Sequence, residues 1–133
     1  DQTFIVILAG SCMDQMQKFY CDRFNLEKAA VMDSRIRAIS RVFGNPEDTK
    51  YKSAAIPIKD QCLIEIDELP DGSDIRTSKP GYLLPGISMV SFLAYENVFT
   101  DSLNYQCNLT HLKGKKCSII HGNQQEIIEL VHK

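Results

Sequence analysis

The side chains best able to ligate a metal or attack a substrate are five cysteines, Cys12, Cys21, Cys62, Cys107 and Cys117, and three histidines, His111, His121 and His132. No CxxC pair is present, and no Cys/His pair has zinc-ligand spacing. A Cys–His nucleophile pair could be drawn from Cys107 with His121 or from Cys117 with His111, but a pairing taken from so small a set is more often accident than catalysis. Gly10-Ser11 follows an apolar run as a phosphate loop would, yet neither GxxxxGK[ST] nor GxGxxG is there, so it reads as a plain strand-to-helix turn. Glu65, Asp67, Glu68, Asp71 and Asp74 form an acidic stretch without calcium-loop spacing. It reads as a solvated strand face and turn, with a weak attraction for basic peptides as the functional alternative. Lys113, Lys115 and Lys116 cluster at one hairpin, where solubilising charges are commoner than a nucleic-acid contact. No acid, base and nucleophile stand in a recognised arrangement, so the sequence predicts no enzyme, no catalytic residue, no cofactor and no metal.

The elements that must position these groups follow from periodicity. Phe4 to Ala9 is short, apolar and β-branched, a buried strand stopped at Gly10. Ser11 and Asp14 make a capping-box-like start, with the serine hydroxyl taking an early helix N–H. Met13, Met16, Tyr20 and Phe24 then recur at spacings of three and four, and Met32, Ile36, Ile39 and Phe43 resume the pattern. Two helices, or one long bent one, are predicted from about Cys12 to Phe43, ended by Gly44 and Asn45-Pro46. After a polar loop, strands are predicted at 54–58, 61–69, 88–95, 103–112, 117–121 and 126–131. A loop between them carries Pro70, Pro80, Pro85, Gly72, Gly81 and Gly86. No internal repeat is visible.

Length and charge bound the rest. With 133 residues the chain is predicted to be a single domain, residues 1–53 giving a strand plus helices and 54–133 a β-rich barrel. Short strands with long open edges invite aggregation, which argues for closure. The class expected is α+β, an N-terminal strand and helix region followed by a small antiparallel barrel. The composition, 44% hydrophobic and 24% charged, excludes a disordered or low-complexity chain, and a net charge of −2 argues against non-specific duplex binding. The early apolar run is too short for a signal peptide or a membrane span. An odd cysteine count points to a reducing compartment, cytoplasmic or nuclear, and the sequon at Asn108 is discounted. The start at Asp1 rather than Met fits a domain excised from a longer protein.

The last third resembles a Tudor domain, with an SH3-like barrel. Gly86 leads the strand to Tyr95, Phe99 precedes Asp101, Asn104-Tyr105-Gln106-Cys107 opens the next strand, and Ile119-Ile120-His121-Gly122-Asn123 stands at the glycine-asparagine turn. Phe4-Ile5-Val6-Ile7-Leu8 and the helix after it resemble the leading elements of an extended Tudor domain, whose nuclease-like barrel is inactive. The resemblance implies a non-catalytic module that binds an arginine-containing peptide in a scaffold for RNA silencing or RNA granules. Phe99, Tyr105, Asn123 and His121 would form the peptide site, with Tyr95 filling a gap. Because His121 and Ser118 replace aromatics, methylation of the arginine should matter little. The alternative is an OB-fold that stacks single-stranded nucleic acid on Phe92, Tyr95, Phe99 or Tyr105, or a telomere-complex subunit. The apolar helix face from Met13 to Phe24 could instead serve a docking interface. Oligomeric state does not follow from the sequence.

Overall fold

The computed structural model describes residues 4–59, 62–74, 76–95, 105–108 and 116–132, with the backbone alone at 105–108 and 116. The chain divides into two compact units, 1–74 and 75–133.

Unit 1 contains strands β1 (Ile5–Gly10), β2 (Met32–Arg35), β3 (Lys50–Pro57) and β4 (Leu63–Glu68), with helices α1 (Met13–Phe24) and α2 (Arg37–Phe43). Its sheet has the order β1-β4-β3-β2. β1 runs parallel to β4, from Ile5 beside Leu63 to Gly10 beside Glu68, and the other pairs are antiparallel. A parallel pair needs a long crossover, which begins with α1. That helix buries the face expected from its spacing: Met13, Met16, Tyr20 and Phe24 are all buried. Opposite them, Ile64 and Ile66 of β4 are fully buried together with Ala54 and Ile56 of β3. The unit's hydrophobic core lies between α1 and this face of the sheet.

The cap differs from the expected one. The N-cap residue is Cys12, and it makes no side-chain capping bond. The amide of Met13 instead donates to Glu68 Oε2 at 2.7 Å, across 55 residues of sequence. Lys52 Nζ donates to the other oxygen at 2.9 Å. A carboxylate at a helix N-terminus is favoured by the helix dipole. Lys52 first, and the Met13 amide second, hold the Glu68 carboxyl below its usual range. A depressed acid contributes stability above its unfolded pKa and loses it as pH falls through the folded value. Glu68→Gln should therefore cost about 1 kcal/mol at neutral pH, since Lys52 is largely solvated, and the cost should shrink in acid. Urea melts of both proteins at pH 7 and pH 4 check this.

The stretch between the helices also departs from expectation. α1 ends at Asn25, in the left-handed region at φ 53°, and Met32–Arg35 then forms β2 rather than helix. Its residues pair with Lys50–Ser53 of β3, so a non-local ladder overrides the helical spacing of Met32 and Ile36. α2 is pinned by Tyr51, whose hydroxyl lies 3.1 Å from Ser40 Oγ and accepts from Asn45 Nδ2 at 3.1 Å.

Unit 2 contains β5 (Met89–Ala94), β6 (Tyr105–Asn108), β7 (Lys116–His121) and β8 (Ile127–His132), in the order β5-β8-β7-β6. β5 is parallel to β8, and the other pairs are antiparallel. Order and strand senses are those of unit 1, so the sheet topology is duplicated although no repeat is visible in the sequence. The expected small antiparallel barrel, Tudor/SH3-like or OB, does not form. β3 and β4 pair with β1 and β2 instead of with the later strands. Each sheet begins with a parallel pair, and each stays open.

A loop before β5 is fastened by one side chain. The Arg76 guanidinium donates to the carbonyls of Pro85 at 3.3 Å, Ile87 at 3.4 Å and Gln124 at 3.1 Å. The Ser88 hydroxyl also donates to the Leu84 carbonyl. Arg76→Met should release these carbonyls and speed amide exchange across 82–88, while β8 amides keep their protection. Hydrogen-exchange mass spectrometry reads both segments.

Candidate ligand-binding faces

Side chains alternate across a strand, so β3 and β4 sort into two faces. Ile64, Ile66 and Glu68 look toward α1. Glu65 and Asp67 look the other way, beside Ile7 and Ala9 of β1 and Ala55 and Ser53 of β3. On this far face Ile7 is 61% exposed, and Ala9 and Ala55 are exposed as well. The acidic stretch expected to be solvated is thus split. Glu68 caps a helix, and Asp67 is only 3% exposed. The Ser53 hydroxyl bonds the Asp67 carboxylate, but its Oδ1 has no hydrogen-bond partner. Burial pushes the Asp67 pKa above the usual carboxylate value. The Ser53 hydroxyl offsets part of that, and the charge of Glu65 adds to it. A buried acid with an unsatisfied oxygen is costly, and such groups concentrate at functional sites.

Unit 2 repeats the pattern at matching register. Leu63 to Ile66 beside β1 corresponds to Ile127 to Leu130 beside β5, so Glu129 stands where Glu65 stands. Glu129 is 5% exposed and accepts a 2.5 Å bond from the Ser91 hydroxyl on the neighbouring strand. Met89 and Leu93, flanking Ser91 on this face, are half-exposed. His121 and Ile127, a register pair at the end of the same face, line a cleft of about 470 Å³ with Tyr82, Leu83, Leu84 and Gln125. That volume suits a small molecule, for which pockets span roughly 300–1,000 Å³. Arg76 fixes one wall of the cleft through the loop that it fastens.

Of the expected peptide-site residues, His121 and Asn123 lie together at the turn between β7 and β8, and Tyr95 lies at the opposite end of β5. His121 ends β7 and is exposed, Asn123 is exposed in the turn after it, and Tyr95 is exposed just past β5. Tyr105 opens β6 opposite Ile119, with only its backbone described, and Phe99 lies outside the described residues. The turn uses Gln125, at φ 63°, as its left-handed residue, not the Gly122-Asn123 pair. The histidine and lysines at 111, 113 and 115 also lie outside the described residues. Burial raises the thiols of Cys21 and Cys62, which makes them poor nucleophiles. Sequence reasoning missed Ser91 and Glu129. The signal was present as Leu63-Ile64-Glu65-Ile66 and Ile127-Ile128-Glu129-Leu130, one apolar frame around a glutamate, used twice.

No family model and no curated protein matches the sequence. Solved structures do match along nearly its whole length. A glyoxalase family protein from Bacillus cereus aligns with a TM-score of 0.64 at 16% identity, over 98% of this chain and 93% of that one. Lactoylglutathione lyase from Agrobacterium tumefaciens aligns with a TM-score of 0.58 at 12% identity, over 98% and 92%. The fosfomycin resistance protein FosX from Listeria monocytogenes, complexed with Mn(II) and sulfate, aligns with a TM-score of 0.57 at 13% identity, over 100% and 92%. The chain therefore has the glyoxalase fold, two mixed open sheets of βαβββ type, and not that of a Tudor domain or an OB barrel.

This overturns the functional expectations drawn from the resemblance. The peptide-reading scaffold of RNA silencing, its protein or peptide partner and the single-stranded nucleic-acid alternative all rested on a barrel that the chain does not form. The expectation that the chain is no enzyme also falls, since enzymes share this fold. Among the described residues, no helix is long and apolar enough to cross a membrane.

Proposed function

We propose that this chain binds a small organic molecule on its open sheet faces and uses the carboxylates there to orient it and move a proton. One observation carries the reading. At equivalent register, both sheets present a glutamate on the face that also shows exposed apolar side chains: Glu65 beside Ile7, and Glu129 beside Met89, Ser91 and Leu93. Apolar walls with a few fixed polar groups are what small-molecule sites are made of. Asp67, whose pKa is raised by burial, is suited to exchange a proton nearer neutral pH than an ordinary carboxyl. Glu129, fixed by Ser91, orients the ligand. The fold shared with lactoylglutathione lyase and FosX supports small-molecule chemistry over peptide reading. The cysteine pattern favours a reducing compartment.

The FosX structure carries Mn(II), so the fit of a metal here bears on mechanism. The open-face positions of β1 are Ile5, Ile7 and Ala9, and those of β5 are Met89, Ser91 and Leu93. Neither strand offers a carboxylate, imidazole or thiolate there. Among the described residues no group of three His, Cys, Asp or Glu side chains could hold a metal ion. The described residues do not fit the ion, and no step is routed through it.

The test is a fragment screen by amide chemical shift, using small amines, alcohols, aldehydes and carboxylates. Shifts should gather at Ile7, Ala55 and Glu65 or at Ser91, Leu93 and Glu129. Shifts confined to the outer side of α1, or no shifts with any class, would contradict the reading.

A further inference from the structure

We propose that the ligand of these open faces is an organic cation, an amine, amidine or guanidine carried on an apolar or aromatic body. The inference rests on the small-molecule reading above and adds the charge of the ligand to it.

Asp67 is almost wholly buried, and its Oδ1 receives no donor from the protein. Glu65 stands two residues away on the same strand face, partly exposed, so the approach to Asp67 is itself anionic. Among the described residues no ion pair reaches either carboxylate. The sheet's own bases are turned away. Lys52 looks to the α1 side and is committed to Glu68. Lys50 and Arg35, a register pair, share its parity. A charged group taken from water requires a partner or neutralises itself, and here the protein provides neither a lysine nor an arginine.

Unit 2 repeats the arrangement independently. Glu129 is buried and accepts from the neutral Ser91 hydroxyl, and no described lysine or arginine pairs with it. Because Ser91 spends its proton on Glu129, its oxygen is left to accept from a ligand donor. The hydroxyl–carboxylate pair thus presents acceptors outward. Ile7 and Ala55 in one unit, and Met89 and Leu93 in the other, supply the apolar surface for the ligand's body. An anionic ligand would add like charge beside these carboxylates, with the His121 imidazole the one base at the described open-face positions of either sheet, and a neutral one would leave the carboxylates as they are. A cation with N–H donors, seated against the partly exposed Glu65, supplies the positive charge that the buried Asp67 and Glu129 lack.

The experiment compares benzamidine, benzyl alcohol and benzoate, three probes of similar body and different charge, by calorimetry and amide shifts on the whole chain. Benzamidine should bind at least about tenfold tighter than benzyl alcohol, a difference of about 1.4 kcal/mol, and should move Ile7, Ala55 and Glu65 or Ser91 and Glu129. Benzoate should bind more weakly than either. Asp67→Asn, Glu65→Gln and Glu129→Gln, each shown folded by its amide spectrum, should reduce the preference for benzamidine, and at least one should abolish it. Equal binding of the three probes, or tighter binding of benzoate, at the same residues would overturn the cation assignment and leave the small-molecule site standing. Failure of all three probes to move either face would overturn both.

Discussion

Ile64→Ala is expected to cost about 3 kcal/mol, and Ile128→Ala a similar amount, because each removes a fully buried side chain at the equivalent register position of its own sheet. Ile64 lies in β4 with Ile66, Ile56 and Ala54 around it, under α1. Ile128 lies in β8 beside Leu130, with Phe92 of β5 and Ile120 of β7 buried on the same face. The cost joins the lost transfer energy of the deleted carbons to the cavity left behind. The control is Ile7→Ala on the open face of the first sheet, which should cost well under about 1 kcal/mol since that side chain is already exposed. Denaturant melts of the three variants test the assignment of faces. Equal costs at Ile7 and Ile64 would mean that the faces have been read the wrong way round.

Asp67→Asn should have two opposite effects. The carboxyl is raised by burial, so its folded pKa exceeds its unfolded one and its contribution falls as pH rises through that window. Removing the charge should therefore stabilise unit 1 at neutral pH, by about 1 kcal/mol, and the gain should vanish in acid, where the wild-type group is protonated too. The neighbouring Glu68 behaves in the opposite way, because Lys52 and the Met13 amide depress its pKa. Adjacent acids on one strand thus tilt the stability curve in opposite directions, since alternation sends one toward a cation and a helix N-terminus and the other toward neither. The same Asp67→Asn change should weaken binding of benzamidine at the first sheet by about tenfold or more. A residue that costs stability and is needed for binding is the pattern of a functional group rather than a structural one. Thermal melts at pH 7 and pH 4, with calorimetry at pH 7, read both effects.

Local structure was legible in the residues, and pairing was not. The apolar run at Phe4 to Ala9, the helix face from Met13 to Phe24 and the strands near 54–69 and 117–131 could be read because each is defined by neighbours within a few positions. The partner of β1 is β4, more than fifty residues later, and that of β5 is β8. Nothing in a period of 2 or 3.6 encodes those choices. Counting strands and arguing that edges must close led to a barrel. The chain instead spends two parallel pairings to build two open sheets. The Gly122-Asn123 turn suggested a Tudor rhythm, yet any hairpin between apolar strands produces such a turn. The acidic stretch looks solvated from sequence, which shows charge and not facing. Only the alternation on β4 separates Glu68, which caps α1, from Asp67, which is buried without a cation.

A crystal structure of the protein soaked with benzamidine addresses the central claim most directly. The amidinium should lie against the carboxylates of one or both open faces, at Glu65 and Asp67 or at Ser91 and Glu129, with its ring on Ile7 or on Met89 and Leu93. Benzamidine seated only on the α1 side of the sheet or elsewhere, with both open faces accessible in the lattice and bare, would contradict it.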